Sequence, residues 1–165
     1  MDDKVDVASE LRALIGSLSR GEEVFGRVGD TAGESVPELV RQVAAEAERA
    51  WKHYAVEGAV GPDSSAEVEG ALSRIDGERA VELLTCLAAD DLVFPGAGRR
   101  DRTHALRAAE RVVRLLGHES VWYTNISDLS PRSRAWNPVT RHTFDGLVAG
   151  AGGHFTVVLL QVGED

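Results

Sequence analysis

A chain of 165 residues with net charge −9, 43% hydrophobic and 27% charged, can build a core without disulfide or metal staples. That balance excludes wholesale disorder, and the acidic sum argues against general nucleic-acid binding because phosphates would be repelled. The longest apolar run, around Val157 to Leu160, is far below the roughly 20 residues of a membrane helix.

The opening MDDKVD is acidic where an export signal would be basic and then apolar. Cys86 is the single cysteine, so no internal disulfide can form, which fits a reducing compartment. A cytoplasmic protein is therefore expected. Cys86 falls inside the helical pattern of Leu83, Leu84 and Leu87 with no activating base nearby in sequence, and reads as a buried structural thiol. Charge is unevenly spread. Residues 1–60 sum to −5 and 61–98 to −6, whereas 99–115 reverse to +4 and 116–165 return to −2. Arginine outnumbers lysine sixteen to two, a bacterial-type composition that reads as biased codon usage rather than guanidinium chemistry.

Val7, Leu11, Leu14, Ile15 and Leu18 follow a helical period and predict a first helix near 4–19. RGEEVFGRVGDTAGES then breaks the pattern as a loop, with Val24 to Val28 open to an extended piece. Ser35 and Glu38 have capping-box spacing around Pro37, and Val36, Val40, Val43, Ala47, Trp51 and Tyr54 form one stripe that Gly58 can end. Ser64 and Glu67 repeat the box ahead of a short helix through Val68, Leu72 and Ile75. After Asp76-Gly77 a fourth helix runs through Ala80, Leu84, Leu87 and Ala88, stopping near 89 because Asp90 and Asp91 oppose its dipole. Leu92 to Phe94 reads as extended before the Pro95-Gly96 turn. Asp101 can cap a fifth helix that buries Ala105, Ala109, Val112, Val113 and Leu116 and stops at Gly117.

The last third changes character. It carries five of the nine aromatics and the β-branched runs SVWYTNI and HFTVVLLQV. Residues 119–126 predict one strand, followed by a loop of about twelve residues at 127–138, a length often functional. Residues 140–149 and 154–162 predict a hairpin joined by Gly150 to Gly153, with Ala149 beside His154 and Asp145 opposite Val158. The final strand is apolar on both faces and should be covered on both sides or lie centrally. The expected fold is a single α+β domain. About five helices over 1–117 pack on a small antiparallel sheet in 118–165, of three strands, or four if residues 24–28 join.

No complete catalytic or cofactor motif is present: there is no GxSxG elbow, no P-loop ending after PGAG, and no zinc spacing. No cofactor and no metal are expected. In the predicted register His142 and His154 stand about 23 Å apart, too far for one ion. Asp145 is the candidate catalytic residue, because a carboxylate set beside Val158 needs hydrogen bonds or a cation. Arg134 and Arg141 are its nearest cations in sequence, and Tyr123, Arg141 or His142 would assist it as general acid or base. A binding rim is predicted from Trp122, Tyr123, Asn125, Arg134, Trp136, Asn137, Arg141 and Asp145, since aromatics, arginine and asparagine favour contact surfaces. Arg100, His104, Arg107, Arg111 and Arg114 recur at helical spacing as one basic stripe, a candidate anion-binding face or else a solvated face bridged to Glu and Asp.

The leading expectation is a small acidic protein-binding module that neutralises a basic partner, of inhibitor or immunity type. Its support is the acidic body, the aromatic sheet and the absent catalytic motif. The competitors are a small enzyme with a sheet-side pocket around Asp145, and an anion or small-molecule sensor using the arginine stripe. Nucleic-acid and membrane partners are not expected.

Overall fold

The computed structural model describes residues 2–50, 62, 64–93, 100–129, 134–142 and 144–163. Trp51, Tyr54, Gly58 and the Pro95-Gly96 turn lie outside them. Among the described residues five helices form: α1 Asp2–Leu18, α2 Val36–Ala50, α3 Ser65–Ala71, α4 Gly77–Ala89 and α5 Arg102–Leu116. The capping signals act as their spacing implies. Ser35 Oγ accepts from Glu38 N, Ser64 Oγ from Glu67 N, and Asp101 Oδ1 from Thr103 N and His104 N. Gly117 ends α5 at φ 93, and α4 stops at Ala89 with Asp90 as its C-cap.

The strands are β1 Val24–Asp30, β2 Ser73–Ile75, β3 Val121–Thr124, β4 Ile126–Leu129, β5 Arg134–Trp136, β6 Phe144–Gly152 and β7 Phe155–Gly163. Five of them make one antiparallel sheet in the order β1-β7-β6-β3-β2, while β4 and β5 pair separately. The sheet is thus larger than the expected three or four strands. Residues 24–28 do join it, along β7, and Ser73–Ile75 is a strand on β3 rather than the end of a helix. Part of the predicted 127–138 loop is the β4–β5 ladder, and Leu92 and Val93 are not a strand.

The hairpin register also differs. Gly152 pairs with Phe155 and Asp145 with Val162, not Val158. The turn contains only Gly153 and His154, with Gly153 at φ 59, which suits the first central position of a two-residue type II′ turn. Gly150 and Gly152 are strand residues instead. A Cβ at Gly150 would fall inside the Trp122 ring, so glycine lets that indole lie flat on the sheet. The true register differs from the predicted one by an even step, so the faces keep their members.

Helices cover both faces. Trp122, Val148, Val157 and Leu159 are buried with α1, α4 and α5 on one side. Leu147, Ala149, Val158, Leu160 and Val162 are buried with α2 and α3 on the other. The two-sided apolarity of β7 is thereby used. Near its end Gln161 is 1% exposed, and its amide straps α4 to the sheet. Its Oε1 accepts from Leu92 N at 2.9 Å, and its Nε2 donates to Leu87 O and Asp90 O at 2.8 and 2.9 Å.

Candidate functional site

The expected site residues separate into three places. Asp145, Asn125 and Thr140 form a buried polar network where the chain passes from β3 to β4, and the exposed Asn137 joins it through its backbone carbonyl. Asn125 Oδ1 accepts from Leu147 N at 2.8 Å, and its Nδ2 donates to Asp145 Oδ1 at 2.7 Å and Asn137 O at 2.9 Å. The Asp145 carboxylate also accepts from Val139 N at 3.2 Å, Thr140 N at 3.0 Å and Thr140 Oγ1 at 2.8 Å. Burial pushes its pKa up to about 6, against the opposing pull of the Thr140, Val139 and Asn125 hydrogen bonds. Its nearest partners are thus backbone and neutral groups. The chemical effect of this arrangement is to pin residues 137–142 onto the sheet.

Around that network, Trp136 packs on Phe144 with ring centroids 5.2 Å apart and planes tilted by 39°, over a narrow seam with Leu92, Ile126 and Leu129. The Arg141 backbone N–H donates to Glu48 Oε1 at 3.1 Å, and its side chain is exposed. His142 is buried, with its N–H donating to Thr140 Oγ1 at 3.1 Å. Arg134 opens β5, paired with Leu129. Trp122 lies on the opposite face of the sheet at 1% exposure, its Nε1 donating to Ser120 Oγ at 3.0 Å. Asp145 and Tyr123 share a face but are not brought together. The partner of Tyr123 on β6 is Ala149, four residues or about 13 Å along the strand from Asp145.

The basic stripe runs along the seam between α5 and α1. Arg111 makes a two-pronged pair with Glu10, at 2.8 and 2.9 Å. That contact holds the Glu10 carboxyl below, and the Arg111 guanidinium above, their ordinary ranges. Arg107 and Arg114 are exposed. Arg100 and His104 turn toward the C-terminal end of α1, where Arg100 Nη1 donates to Ser17 O at 3.2 Å and His104 Nε2 lies 3.0 Å from Ser17 Oγ. Among the described residues no cluster of His, Cys, Asp and Glu could hold a metal.

A cleft of about 580 Å³ opens on the α2–α3 face beside the short edge strand β2. Its floor is Val121, Tyr123 and Ala151; Val36 and Pro37, in the first turn of α2, form one wall; Glu69, Leu72 and Arg74 form the other. Arg74 and Tyr123 are cross-strand partners, so their side chains stand together. Among the described residues the Tyr123 hydroxyl, the Arg74 guanidinium and the Glu69 carboxylate have no hydrogen-bond or ion-pair partner. The positive end of the α2 dipole, at the facing wall, adds to the positive charge of Arg74. Of the eight residues lining the cleft, sequence reasoning singled out Tyr123 as a contact residue. The signal it missed was the small residue at 151, which deepens the floor in a strand otherwise read as a turn.

No protein-family model matches the chain, and neither a curated protein nor a solved structure shows detectable similarity to it.

Proposed function

We propose that the protein binds, rather than converts, a small organic molecule in the cleft beside β2. The observation that carries this reading is an apolar floor ringed by polar groups that have no partner among the described residues. Its volume of about 580 Å³ falls in the usual range for small-molecule sites, which combine apolar walls with a few placed polar groups. Arg74 and Glu69 give the rim two charges of opposite sign. They match a molecule that carries a carboxylate for Arg74, an ammonium or other donor for Glu69, and an apolar part that lies on the floor. A non-catalytic role is favoured because Asp145, the strongest acid–base candidate, spends both oxygens on holding residues 137–142. The cleft itself offers no hydrogen-bonded nucleophile and base among the described residues.

A basic protein partner is the second reading, on one observation. Helices α2 and α3 carry five glutamates against two arginines on the flank of the same cleft, so a partner's cationic segment would be drawn to this face. Both readings are tested by filling the floor. Thermal-shift titration with apolar amino acids and their N-acyl derivatives should raise Tm for the native protein and leave Ala151→Trp unchanged. Arg74→Ala should lose the response to carboxylates. If a stabilising ligand acts equally on Ala151→Trp, the cleft is not its site. If an oligolysine peptide binds in a salt-sensitive way and the small molecules do not, the second reading replaces the first.

A further inference from the structure

We propose that Arg20, Arg100 and His104 form a binding site for a phosphate dianion at the junction of α1 and α5, separate from the cleft beside β2. The three side chains line a cavity of about 340 Å³ together with Ser17, Leu18 and Ala88. Two guanidinium groups and an imidazole face one space, and the carboxylate bordering it, Asp101, turns its Oδ1 to the Thr103 and His104 N–H groups.

Like charges gathered this way repel, so the arrangement needs a reason. The negative end of α1 supplies part of one, since Arg100 Nη1 donates to Ser17 O at 3.2 Å. That bond uses one of the five N–H donors of a guanidinium. Among the described residues Arg20 pairs with no carboxylate, and Arg100 makes no other bond. Burial first, and then the charge of Arg20, hold Arg100 below the usual arginine pKa range. The contrast with Arg111 on α5 is direct, because that guanidinium is matched by both oxygens of Glu10. A planar fork, a second fork and an imidazole around a small cavity suit the three or four oxygens of a phosphate. The Ser17 hydroxyl, already 3.0 Å from His104 Nε2, adds one more polar group. The residues come from the first turn of α5 (His104) and from just before its cap (Arg100), at the start of the basic stripe visible in the sequence, and from just beyond the end of α1 (Arg20). The second arginine could be found only from the fold.

The experiment is calorimetric titration of the full chain with inorganic phosphate and with glycerol 3-phosphate, at fixed ionic strength maintained with chloride. Saturable one-to-one binding of at least one probe is expected, weakened at least about tenfold in Arg20→Ala and in Arg100→Gln. Arg107→Ala, on an exposed part of α5, should bind as the native protein does. Tighter binding of the ester identifies a phosphorylated small molecule as the ligand class, and tighter binding of inorganic phosphate identifies the free ion. Arg20 is exposed, so its variant keeps the fold if the Arg100 variant does not. Absence of saturation with both probes, or equal loss in Arg107→Ala, would overturn the site. Ala151→Trp should leave phosphate binding intact, which keeps this outcome separate from that of the β2 cleft.

Discussion

Replacing Gln161 by leucine tests the strap between α4 and the sheet. The side chains are similar in size, and the position is 1% exposed, so the change is mainly chemical. Leucine removes the acceptor for Leu92 N and the donor for Leu87 O and Asp90 O. Each buried group left without a partner costs about 1–3 kcal/mol, a gross loss of roughly 3–9 kcal/mol. Burying leucine in place of an amide returns roughly 2 kcal/mol. The net expectation is a loss of about 1–7 kcal/mol, a substantial part of the ~5–15 kcal/mol typical of a folded domain. Equilibrium urea unfolding should show a midpoint lower by roughly 0.5–3.5 M at unchanged slope, taking a slope of about 2 kcal/mol/M. Hydrogen exchange should show the Leu92 amide unprotected. A variant within about 0.5 kcal/mol of the native protein, with that amide still protected, would refute the idea that this amide holds α4 in place.

Four further outcomes follow from the same structure. Asp145 has a folded pKa of about 6 against an ordinary 3.8, so the folded state binds its proton more tightly than the unfolded chain. Its contribution to stability is full below the ordinary value and is lost as pH rises through the folded one. Relative to Asp145→Asn, the native protein should gain roughly 1 kcal/mol on going from pH 7 to pH 5, and paired melts showing no pH-dependent difference would remove the argument. Gly150→Ala forces a methyl into the Trp122 ring and should cost about 1–3 kcal/mol, seen as a Tm drop of several degrees. Gly16→Ala, with nothing within 4 Å of the added carbon, should instead stabilise α1 by about 0.5–1 kcal/mol. Burial raises the Cys86 thiol above its ordinary pKa, against the nearby Arg102. Iodoacetamide at pH 8 should therefore modify it more slowly than a free thiol, and rapid labelling would mean the site opens.

What the sequence disclosed depended on how local the controlling physics was. Helix ends were legible, because a cap is a bond between residues two or three apart, as at Ser64 with Glu67 and Asp101 with His104. The two-sided burial of β7 was legible too, since its residues are apolar at every position from Val157 to Leu160. Strand β1 was left open because Gly26 and Gly29 weaken its pattern. Those glycines answer contacts from elsewhere, Ile15 over one and Leu39 over the other. Strand β2 was hidden for a similar reason: Ser73, Arg74 and Ile75 continue a plausible helical period, and only pairing with Thr124, Tyr123 and Trp122 makes them extended. The Asp145 network was anticipated in kind, as a buried carboxylate needing donors. Its partners at 125, 139 and 140 followed from a register that the glycine run misplaced.

The cleft beside β2 follows from uneven cover on the two faces of the sheet. Five strands at about 4.8 Å spacing make a surface roughly 24 Å wide, and a helix covers about 10 Å of it. Three helices, α1, α4 and α5, lie on one face. On the other, α2 is joined by α3, whose seven residues span only about 10 Å. The chain then leaves α3 through Leu72 directly into the edge strand. Among the described residues, the strip holding Tyr123 and Arg74 is therefore only partly roofed. Deeper on the same face, Leu147, Leu160 and Val158 fill the space under α2 and α3 completely. A large apolar residue at 151 would extend that filling to the edge and add to stability. Alanine stands there instead, beside a half-exposed tyrosine and an uncompensated arginine, so the opening is a property of the residues chosen as much as of the helix lengths. That combination is what makes a ligand, rather than incomplete packing, the better account of the cleft.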